Sequence, residues 1–394
     1  MERLQRYTSW FVVFPPAYSI WKMNVMLKRF EVENFKGFQN KLIFDLEARE
    51  YPFNESLVVN GIVNKALIYG KNGIGKSTLG IALFDIVGHL TDKEKMSSMY
   101  LINYINLNSN RPNARFRYCF QFDENEVIYE YEKNDPHNLV YEKIWIDGRA
   151  VLDYSYSGSG SKYIDESLCG SLNIALTDNK LSVVKYIYRN TPTNYHPLLT
   201  RMMQFCENML WYRCLSEGNS YCGFFNGVAS LDEQLYETGK IGEFEKFLND
   251  NELHYKLQYA PYNGQHRLMA VFDEGRKSVP FWSIASTGTL ALFLYFVWSS
   301  TSFNRISFLF IDEFDAFLHY EAAANIIRSL NRETSFQSVL TSHNTYLMQN
   351  RLTRPDCCFN MTENKIQSLD KSTEKELKEI HNLEKIFING GFNG

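Results

Sequence analysis

The sequence lacks several features that define large classes of proteins. No stretch of its 394 residues approaches about 18 consecutive apolar residues, so we expect no membrane-spanning helix. Basic and acidic side chains nearly cancel at 41 and 45, which argues against a wholly basic nucleic-acid-binding protein and leaves only a local basic stripe open. The seven cysteines have no zinc-type spacing, and reduced thiols are the simpler interpretation. Sustained heptads are also missing, which excludes long coiled coils.

The composition is that of a folded globular chain. Hydrophobic residues make up 45% and charged residues 22%, which provides ample material for a buried core. At roughly 150 residues per domain, the length indicates two or three domain-sized pieces, or one large domain with an insertion. We predict an N-terminal extension at residues 1–25, an N-terminal lobe at 26–150, a mainly helical insertion at 151–268 and a C-terminal lobe at 269–394.

The apolar pattern predicts strands and helices in alternation, and hence the α/β class. Residues 27–35 alternate like an edge strand, with residues 42–46 as the expected hairpin partner. Residues 172–188 and 198–215 have mainly helical patterns. The run at residues 305–311 is apolar on both faces, which is typical of a buried parallel strand.

A glycine-rich segment follows the predicted strand that ends near Tyr69. Residues 70–77 read Gly-Lys-Asn-Gly-Ile-Gly-Lys-Ser and match the phosphate-binding pattern G-x-x-x-x-G-K-[ST] without deviation. Glycine lets the backbone curl tightly and point N–H groups inward, and the helix that begins near Lys76 adds its positive end. On this pattern Lys76 bridges the β- and γ-phosphates of ATP, and the Ser77 hydroxyl ligates Mg²⁺. The predicted nucleotide-binding residues here are Gly70, Asn72, Gly73, Gly75, Lys76, Ser77 and Thr78.

An acidic pair, Asp312 and Glu313, follows the apolar run at residues 305–311. Such a pair is common after buried strands, but the phosphate-binding loop in the same chain favours a catalytic interpretation here. We expect Asp312 to hold Mg²⁺ through water and Glu313 to orient and deprotonate the attacking water, which makes Glu313 and Lys76 catalytic candidates. Asp315 is expected in a loop that crosses a dimer interface.

Two further motifs distinguish one class of phosphate-loop proteins from others. Ser286-Thr287-Gly288-Thr289 precedes a predicted helix and matches the S-x-G-[GT] signature of ABC-type ATPases. There the serine, the glycine N–H and the helix dipole complete the γ-phosphate pocket of another subunit, whereas the alternative is an ordinary helix cap. His343 follows a predicted strand and is the candidate γ-phosphate sensor, with a structural histidine as the alternative.

Three smaller questions stay open in the sequence. Arg111, Arg115 and Arg117 form a compact basic group, for which a solvated strand edge is favoured over a DNA-facing stripe. Asn103 and Gln121 are both imperfect candidates for the residue that completes the Mg²⁺ shell. His319 either lines the same interface as Asp315 or caps the following helix.

Together these motifs resemble the RloA-like AAA/ABC-type ATPases of bacteria, relatives of SMC and overcoming-lysogenisation-defect ATPases and a group that includes AriA of PARIS systems. The resemblance implies an ABC/SMC-type P-loop ATPase head, in which a mixed and parallel sheet is flanked by helices. It covers roughly residues 26–390. Besides the motifs above, the segments that carry the resemblance are residues 30–35, 208–213, 354–357 and 375–385.

The resemblance also implies a function and partners. It implies a cytoplasmic ATPase that uses ATP and Mg²⁺, forms a homo-oligomer with at least a head-to-head dimer around ATP, and acts as sensor or scaffold in anti-phage defence. A separately encoded effector, often a TOPRIM-type nuclease, is the expected partner, since only about 50 residues follow His343. A phage protein or DNA is the expected trigger, and no membrane partner is expected.

Two other functions, a transporter subunit and a DNA-repair ATPase, are alternatives for the same motifs. A transporter subunit would carry an L-S-G-G-Q signature, and a DNA-repair ATPase would act without an effector. Within the insertion, Trp211, Tyr212, Phe224 and Phe225 are more typical of core than of contact, because helical aromatics usually face inward. The aromatic content still favours the insertion as the site of protein–protein contacts.

Overall fold

The fold is described from a computed structural model, for residues 25–93, 98–158, 162–176, 178–213, 221–224, 229–363 and 365–392. Almost all of the extension predicted at residues 1–25 lies outside these ranges, as does Phe225. The strands are β1 (Val25–Glu33), β2 (Leu42–Asp45), β3 (Val58–Val59), β4 (Ile62–Val63), β5 (Lys65–Tyr69), β6 (Ala114–Phe122), β7 (Asn125–Lys133), β8 (Leu139–Ile146), β9 (Arg149–Ser155), β10 (Lys162–Ile164), β11 (Met209–Arg213), β12 (Tyr221–Gly223), β13 (Leu257–Tyr262), β14 (Gln265–Phe272), β15 (Lys277–Pro280), β16 (Phe308–Asp312), β17 (Gln337–Ser342), β18 (Cys358–Thr362) and β19 (Lys365–Ser368).

The helices form groups after β5 and after β10, and further helices are interspersed among the strands from β12 onward. Over the described ranges, no helix combines the length and the apolar character that a membrane crossing requires. The α-helices are α1 (Lys76–Leu83), α2 (Asp85–Leu90), α3 (Ser98–Leu101), α4 (Glu166–Cys169), α5 (Val183–Asn190), α6 (Pro197–Glu207), α7 (Leu231–Thr238), α8 (Ile241–Asn249), α9 (Phe281–Ile284), α10 (Thr287–Ser302), α11 (Tyr320–Arg332) and α12 (Leu383–Ile388).

The first large sheet is antiparallel, with the strand order β10-β9-β8-β7-β6-β1-β2. The predicted hairpin partners β1 and β2 do pair, with Phe30 opposite Phe44. The prediction that the first strand is an edge strand is wrong, because β6 pairs along its other side and places Tyr118 opposite Phe30. Only the hairpin partner is near in sequence, so the pattern could not reveal the second neighbour.

The second large sheet is mixed, with the order β12-β11-β16-β17-β5-β18-β19. Its five central strands run parallel, and β12 and β19 are antiparallel edges. The carboxyl ends of parallel strands meet at one edge of a sheet, where α/β proteins bind ligands. Register places Arg213 beside Asp312 and Ser342 beside Tyr69 at this edge.

The mixed sheet separates two hydrophobic cores, because alternate residues of its strands point to opposite faces. Trp211 and Phe310 belong to the core that includes α1, α2 and the antiparallel sheet. Tyr212 and Ile311 belong to the core that includes α10 and α11. Helix α1 approaches the sheet closely at Gly80, where a Cβ atom would lie 2.7 Å from the ring of Phe310.

The region predicted as a mainly helical insertion also contains strands. The helix predicted over residues 198–215 ends at Glu207, and β11 follows it as a central strand of the mixed sheet. A short apolar run cannot be assigned to helix or strand by periodicity alone, which explains the error. The helix predicted over residues 172–188 begins only at Val183. Trp211, Tyr212 and Phe224 are buried, as the core interpretation predicted.

Candidate active site

The glycine-rich loop joins β5 to α1, as the sequence predicted. Gly73 and Gly75 have φ of 76° and 107°, a region that side-chain-bearing residues rarely adopt. A Cβ atom at Gly75 would also lie 2.9 Å from the ring of Phe38, and one at Gly70 would lie 2.9 Å from the carbonyl oxygen of Met361. Backbone shape and close neighbours therefore both require glycine in this loop.

The first turn of α1 offers backbone N–H groups to a ligand. Gly75 occupies the N-cap position and supplies no side-chain cap, so the opening N–H groups of Lys76, Ser77 and Thr78 have no side-chain acceptor there. Asn72 and Gly73 are exposed at the tip of the loop. Unpaired N–H groups and the positive helix end together favour an anion such as a phosphate.

The side chain of Lys76 is buried and held by neutral groups. Its Nζ donates to the carbonyl oxygens of Gly70 at 2.8 Å and Lys71 at 3.2 Å, and lies 3.0 Å from Nε2 of His343. Burial lowers the pKa of Lys76, against the opposing charges of Asp312, Glu313 and Asp315. No ion pair to Lys76 is present among the described residues, so its charge is available to an anionic ligand.

Asp312 is fully buried at the end of β16, and only one of its two carboxylate oxygens has a hydrogen bond. Its Oδ1 accepts a hydrogen bond of 2.8 Å from the Thr341 hydroxyl, whereas Oδ2 has no hydrogen-bond partner and lies 3.7 Å from Nε of Arg213. Burial raises the pKa of Asp312, and the neighbouring hydroxyls of Ser77 and Thr341 oppose that rise. A carboxylate oxygen without a hydrogen bond, near a serine hydroxyl, fits Mg²⁺, which prefers hard oxygen ligands.

Glu313 follows Asp312 and leaves the strand with a left-handed backbone, at φ 51°. Its N–H donates to the Thr341 hydroxyl at 2.7 Å. Its Oε2 accepts from Nη2 of Arg213 at 2.7 Å and from Nε at 3.2 Å. The sequence predicts no site role for Arg213, because its segment has the pattern of a helix. Only the pairing of β11 with β16 shows that Arg213 lies beside Glu313.

Asp315 and His343 lie at the same edge of the sheet. The Ser342 hydroxyl donates to Oδ2 of Asp315 at 2.7 Å, and burial raises the pKa of that carboxyl. Burial and the nearby Lys76 ammonium lower the pKa of His343, which favours a neutral imidazole. The structure therefore brings His343 to Lys76, the loop residue that is predicted to contact the γ-phosphate.

The signature turn lies at the start of α10. Ser286 is the N-cap residue: its Oγ accepts from the Thr289 N–H at 3.1 Å and lies 2.8 Å from the Thr289 hydroxyl. A Cβ atom at Gly288 would lie 2.6 Å from the carbonyl oxygen of Phe317. Among the described residues, no hydrogen bond joins this turn to the glycine-rich loop of the same chain, so the role across subunits stays a prediction.

The compact basic group of Arg111, Arg115 and Arg117 lies on and just before β6. Each arginine of the basic group has an acidic partner: Arg115 and Arg117 both contact Glu130 at 2.7 Å, and Arg111 pairs with Glu33. The prediction of a strand edge is wrong, because Arg115 and Arg117 lie on β6, which pairs with β1 on one side and β7 on the other. The acidic partners still favour a solvated face over a DNA-facing stripe.

The structure also locates Gln121 and Asn103, the candidates for completing the Mg²⁺ shell, and His319. The Gln121 amide donates to backbone oxygens of the β6–β7 turn, at Asp123 and Asn125, and is therefore engaged away from Asp312. Asn103 has a left-handed backbone at φ 49°. His319 occupies the N-cap position of α11 but makes no side-chain cap bond.

Comparisons with known proteins place these features in a wider group. A family model described as "AAA domain, putative AbiEii toxin, Type IV TA system" matches residues 65–157 and 224–349. The match leaves out residues 158–223, which contain β11. No curated protein sequence matches the chain.

Solved structures of SMC heads are similar to the chain at low sequence identity. The SmcHead bound to the C-winged helix domain of ScpA is 16% identical, with a TM-score of 0.44 over 88% of this chain and 98% of that chain. The SMC head domain from Thermotoga maritima is 14% identical, with a TM-score of 0.41 over 87% and 98%. The Smc head domain bound to the C-terminal domain of ScpA derived from Pyrococcus furiosus is 15% identical, with a TM-score of 0.45 over 88% and 97%.

The family match agrees with the topology described above. It includes the glycine-rich loop, the signature turn, the acidic pair and His343, which the mixed sheet positions at or near its carboxyl edge. The predicted α/β class with a P-loop ATPase head is confirmed. Because the family model matches more than half of the 394 residues, the chain belongs to this AAA-domain family of P-loop ATPases.

Proposed function

We propose that this protein binds ATP with Mg²⁺ and hydrolyses it. The observation that carries the proposal is the meeting of Lys76, Asp312 and Glu313 at one sheet edge, each with unused capacity for a ligand. Lys76 has no carboxylate partner among the described residues, and Oδ2 of Asp312 has no hydrogen bond. Such open groups in a buried site are typical of a ligand site rather than of a structural one.

Each side chain has a distinct task in this reaction. The N–H groups at the start of α1 and the Lys76 ammonium bind the phosphate oxygens and stabilise the charge on them. Ser77 and Asp312 would hold Mg²⁺, which when bound neutralises phosphate charge. Glu313 accepts a proton from the attacking water, and neutral His343 contacts the γ-phosphate beside Lys76.

Turnover and binding in two variants test the hydrolysis proposal. Glu313→Gln removes the base but keeps the shape of the side chain, so we expect steady-state turnover to fall about 100-fold or more while ATP binding persists. Lys76→Ala should instead lose binding. Undiminished turnover in Glu313→Gln would remove Glu313 from the mechanism.

We further propose that two chains meet head to head around ATP. The signature turn has exposed apolar neighbours: Ile284 precedes Ser286 by two residues, and the backbone of Phe317 lies where a Cβ atom at Gly288 would meet it. Trp282 is also partly exposed in α9. Apolar surface around a polar ligand-binding turn favours burial against a second surface. In the dimer, Ser286, Gly288, Thr289 and Asp315 would complete the partner's site.

Sedimentation velocity with Mg²⁺ and ATP tests the dimer. Ser286→Arg places a bulky cation in the facing pocket, so ATP-dependent dimerisation should fail while each chain still binds nucleotide. Ser278→Arg, at an exposed position on β15, is the matched control and should dimerise normally. Full ATPase activity from monomeric Ser286→Arg would contradict a role across the interface.

The defence role is the finer part of the proposal. We propose that the chain acts as an RloA-like sensor or scaffold of anti-phage defence, and that its dimer controls a separately encoded effector nuclease after a phage protein or DNA is detected. A connection from the signature turn to the surface supports the part of this proposal that concerns partner docking: Nε1 of Trp282, next to that turn, donates to Asp232 of α7 at 2.6 Å. Helix α7 packs on a three-stranded antiparallel sheet of β13, β14 and β15 (the β13–β15 sheet), whose Tyr262 and Phe272 are exposed.

Co-purification from the native host tests the effector proposal. The tagged chain with Glu313→Gln, held with Mg²⁺ and ATP, should retain a nuclease. Replacing both Tyr262 and Phe272 by Ser should reduce the retained nuclease while leaving ATP binding intact. If nuclease recovery survives that double change and every other fold-preserving change in the β13–β15 sheet, this surface is not the docking site. Recovery of no effector under any nucleotide state would contradict the scaffold role.

A further inference from the structure

Arg213 is placed beside the acidic pair by strand pairing, not by sequence neighbourhood. It is the last residue of β11, and the parallel register sets it opposite Asp312. From there its guanidinium reaches the next residue, Glu313, through Nη2 at 2.7 Å and Nε at 3.2 Å. The same Nε lies 3.7 Å from Oδ2 of Asp312.

The two contacts to Glu313 leave a defined part of its carboxylate open. Both fall on Oε2, and between described residues no hydrogen bond reaches Oε1. The backbone of Glu313 is fixed as well, because its N–H is bonded to the Thr341 hydroxyl. A half-exposed glutamate that is held at its backbone and at one carboxylate oxygen presents the other oxygen in one direction.

We propose that Arg213 is a positioning residue for Glu313, which it holds by Oε2 so that Oε1 accepts the proton of the attacking water. This inference rests on the proposed role of Glu313 as the base. A general base is effective when a third group fixes its orientation, and displacement by about 1 Å can lower a rate by about 100-fold. The planar guanidinium suits this task because Nε–H and Nη2–H lie along one rigid edge and donate to the same oxygen.

Steady-state kinetics of Arg213→Ala and Arg213→Lys test the inference. In Arg213→Ala, we expect kcat to fall about 10- to 100-fold, whereas the KM for ATP changes less than about 2-fold, because the phosphate-binding groups are untouched. Arg213→Lys keeps a cation but loses the paired N–H donors of the guanidinium, so it should recover only part of kcat. A rise in kcat in Arg213→Ala would overturn the inference, since it would mean that the pair restrains the base.

A double-mutant cycle separates positioning from a general structural role. In a Glu313→Gln background, Arg213→Ala should cause no further loss of kcat, because the residue that it positions has already lost its function. An equal loss in both backgrounds would overturn the inference. If Arg213→Ala does not fold, the comparison of Arg213→Lys in the two backgrounds gives the same decision.

The two proposals fail in distinguishable ways. Undiminished turnover in Glu313→Gln contradicts the base itself, whatever Arg213 does. A strong loss in Glu313→Gln with an unchanged kcat in Arg213→Ala contradicts only the positioning role.

Discussion

Buried carboxylates occur both in the antiparallel region and at the edge of the mixed sheet, and the surroundings of the two differ. In the antiparallel region, Asp85 of α2 is fully buried and pairs with Lys133 at 2.8 Å, and neither side chain is exposed. The hydroxyls of Tyr100, Tyr104 and Tyr131 also donate to it, at 2.6, 2.7 and 2.8 Å. Both oxygens of this carboxylate therefore have protein partners.

Glu142 of β8 shows the same arrangement. Its carboxylate accepts from the hydroxyls of Tyr129, Tyr156 and Ser182 and from the N–H of Val183. Burial raises the pKa of Glu142, and these hydrogen bonds oppose the rise. The polar groups join the antiparallel sheet to α2 and α5.

Asp312 is as deeply buried as Asp85, but one of its oxygens has no hydrogen bond. Leaving a buried charged oxygen without a hydrogen bond costs free energy, which evolution tolerates where a ligand supplies the missing bond. Of these two buried aspartates, Asp85 is hydrogen-bonded within the chain at both oxygens, whereas Asp312, at the proposed ligand site, is hydrogen-bonded at only one.

The largest expected effect is on the satisfied carboxylate. Asp85→Asn leaves the Lys133 ammonium buried without its counter-charge, so the free energy of unfolding should fall by about 3–5 kcal/mol. Chemical denaturation measures it. Asp153→Asn, which removes a partly exposed pair with Lys143, is the control and should cost less than about 1 kcal/mol. Equal losses in the two variants would contradict the distinction.

A smaller effect is expected for Glu142→Gln, and it should depend on pH. The amide NH₂ replaces one accepting oxygen, so donors around it lose a partner, at a cost of about 1–3 kcal/mol. Because the pKa of Glu142 is raised above its ordinary 4.5, the stability that its titration contributes is present below that pH and is lost as pH rises through the folded-state pKa.

The difference in unfolding free energy between wild type and Glu142→Gln should therefore be largest in acid and decline as pH increases. Denaturation curves at a series of pH values measure it. A difference that grows with pH would mean that Glu142 has a lowered pKa in the folded chain.

The smallest effect is expected for Asp312→Asn in the absence of nucleotide. This change removes a buried charge that the protein does not fully compensate, so the free energy of unfolding should stay within about 1 kcal/mol of wild type or rise. Denaturation of both proteins in EDTA measures it. A loss as large as that of Asp85→Asn would show that Asp312 has a structural role.

How much of the molecule the sequence could predict depended on the distance between interacting residues. Residues 70–77 and the pair Asp312 and Glu313 are local motifs, so their positions on strand, turn and helix could be read directly. Arg213 lies 100 residues from Glu313, and its place depends on β11 pairing with β16. A five-residue apolar strand carries no periodicity that separates it from a helix.

The buried polar network shows the same limit. Tyr131 and Asp85 are 46 residues apart, and their hydrogen bond forms only because the antiparallel sheet packs on α2. Nothing in the local sequence marks these tyrosines as partners of a carboxylate. Phe30 on β1 could likewise be predicted to be buried, but not to lie between two strands.

The most direct test of the account is calorimetric titration of ATP into wild type and Asp312→Asn, each with Mg²⁺ and with EDTA. If the open oxygen of Asp312 serves the metal, Mg²⁺ should strengthen ATP binding by wild type, and this strengthening should be largely lost in Asp312→Asn. Binding in EDTA should be similar or tighter in the variant, because a negative charge near the phosphates has been removed. An equal effect of Mg²⁺ on both proteins would contradict the central claim.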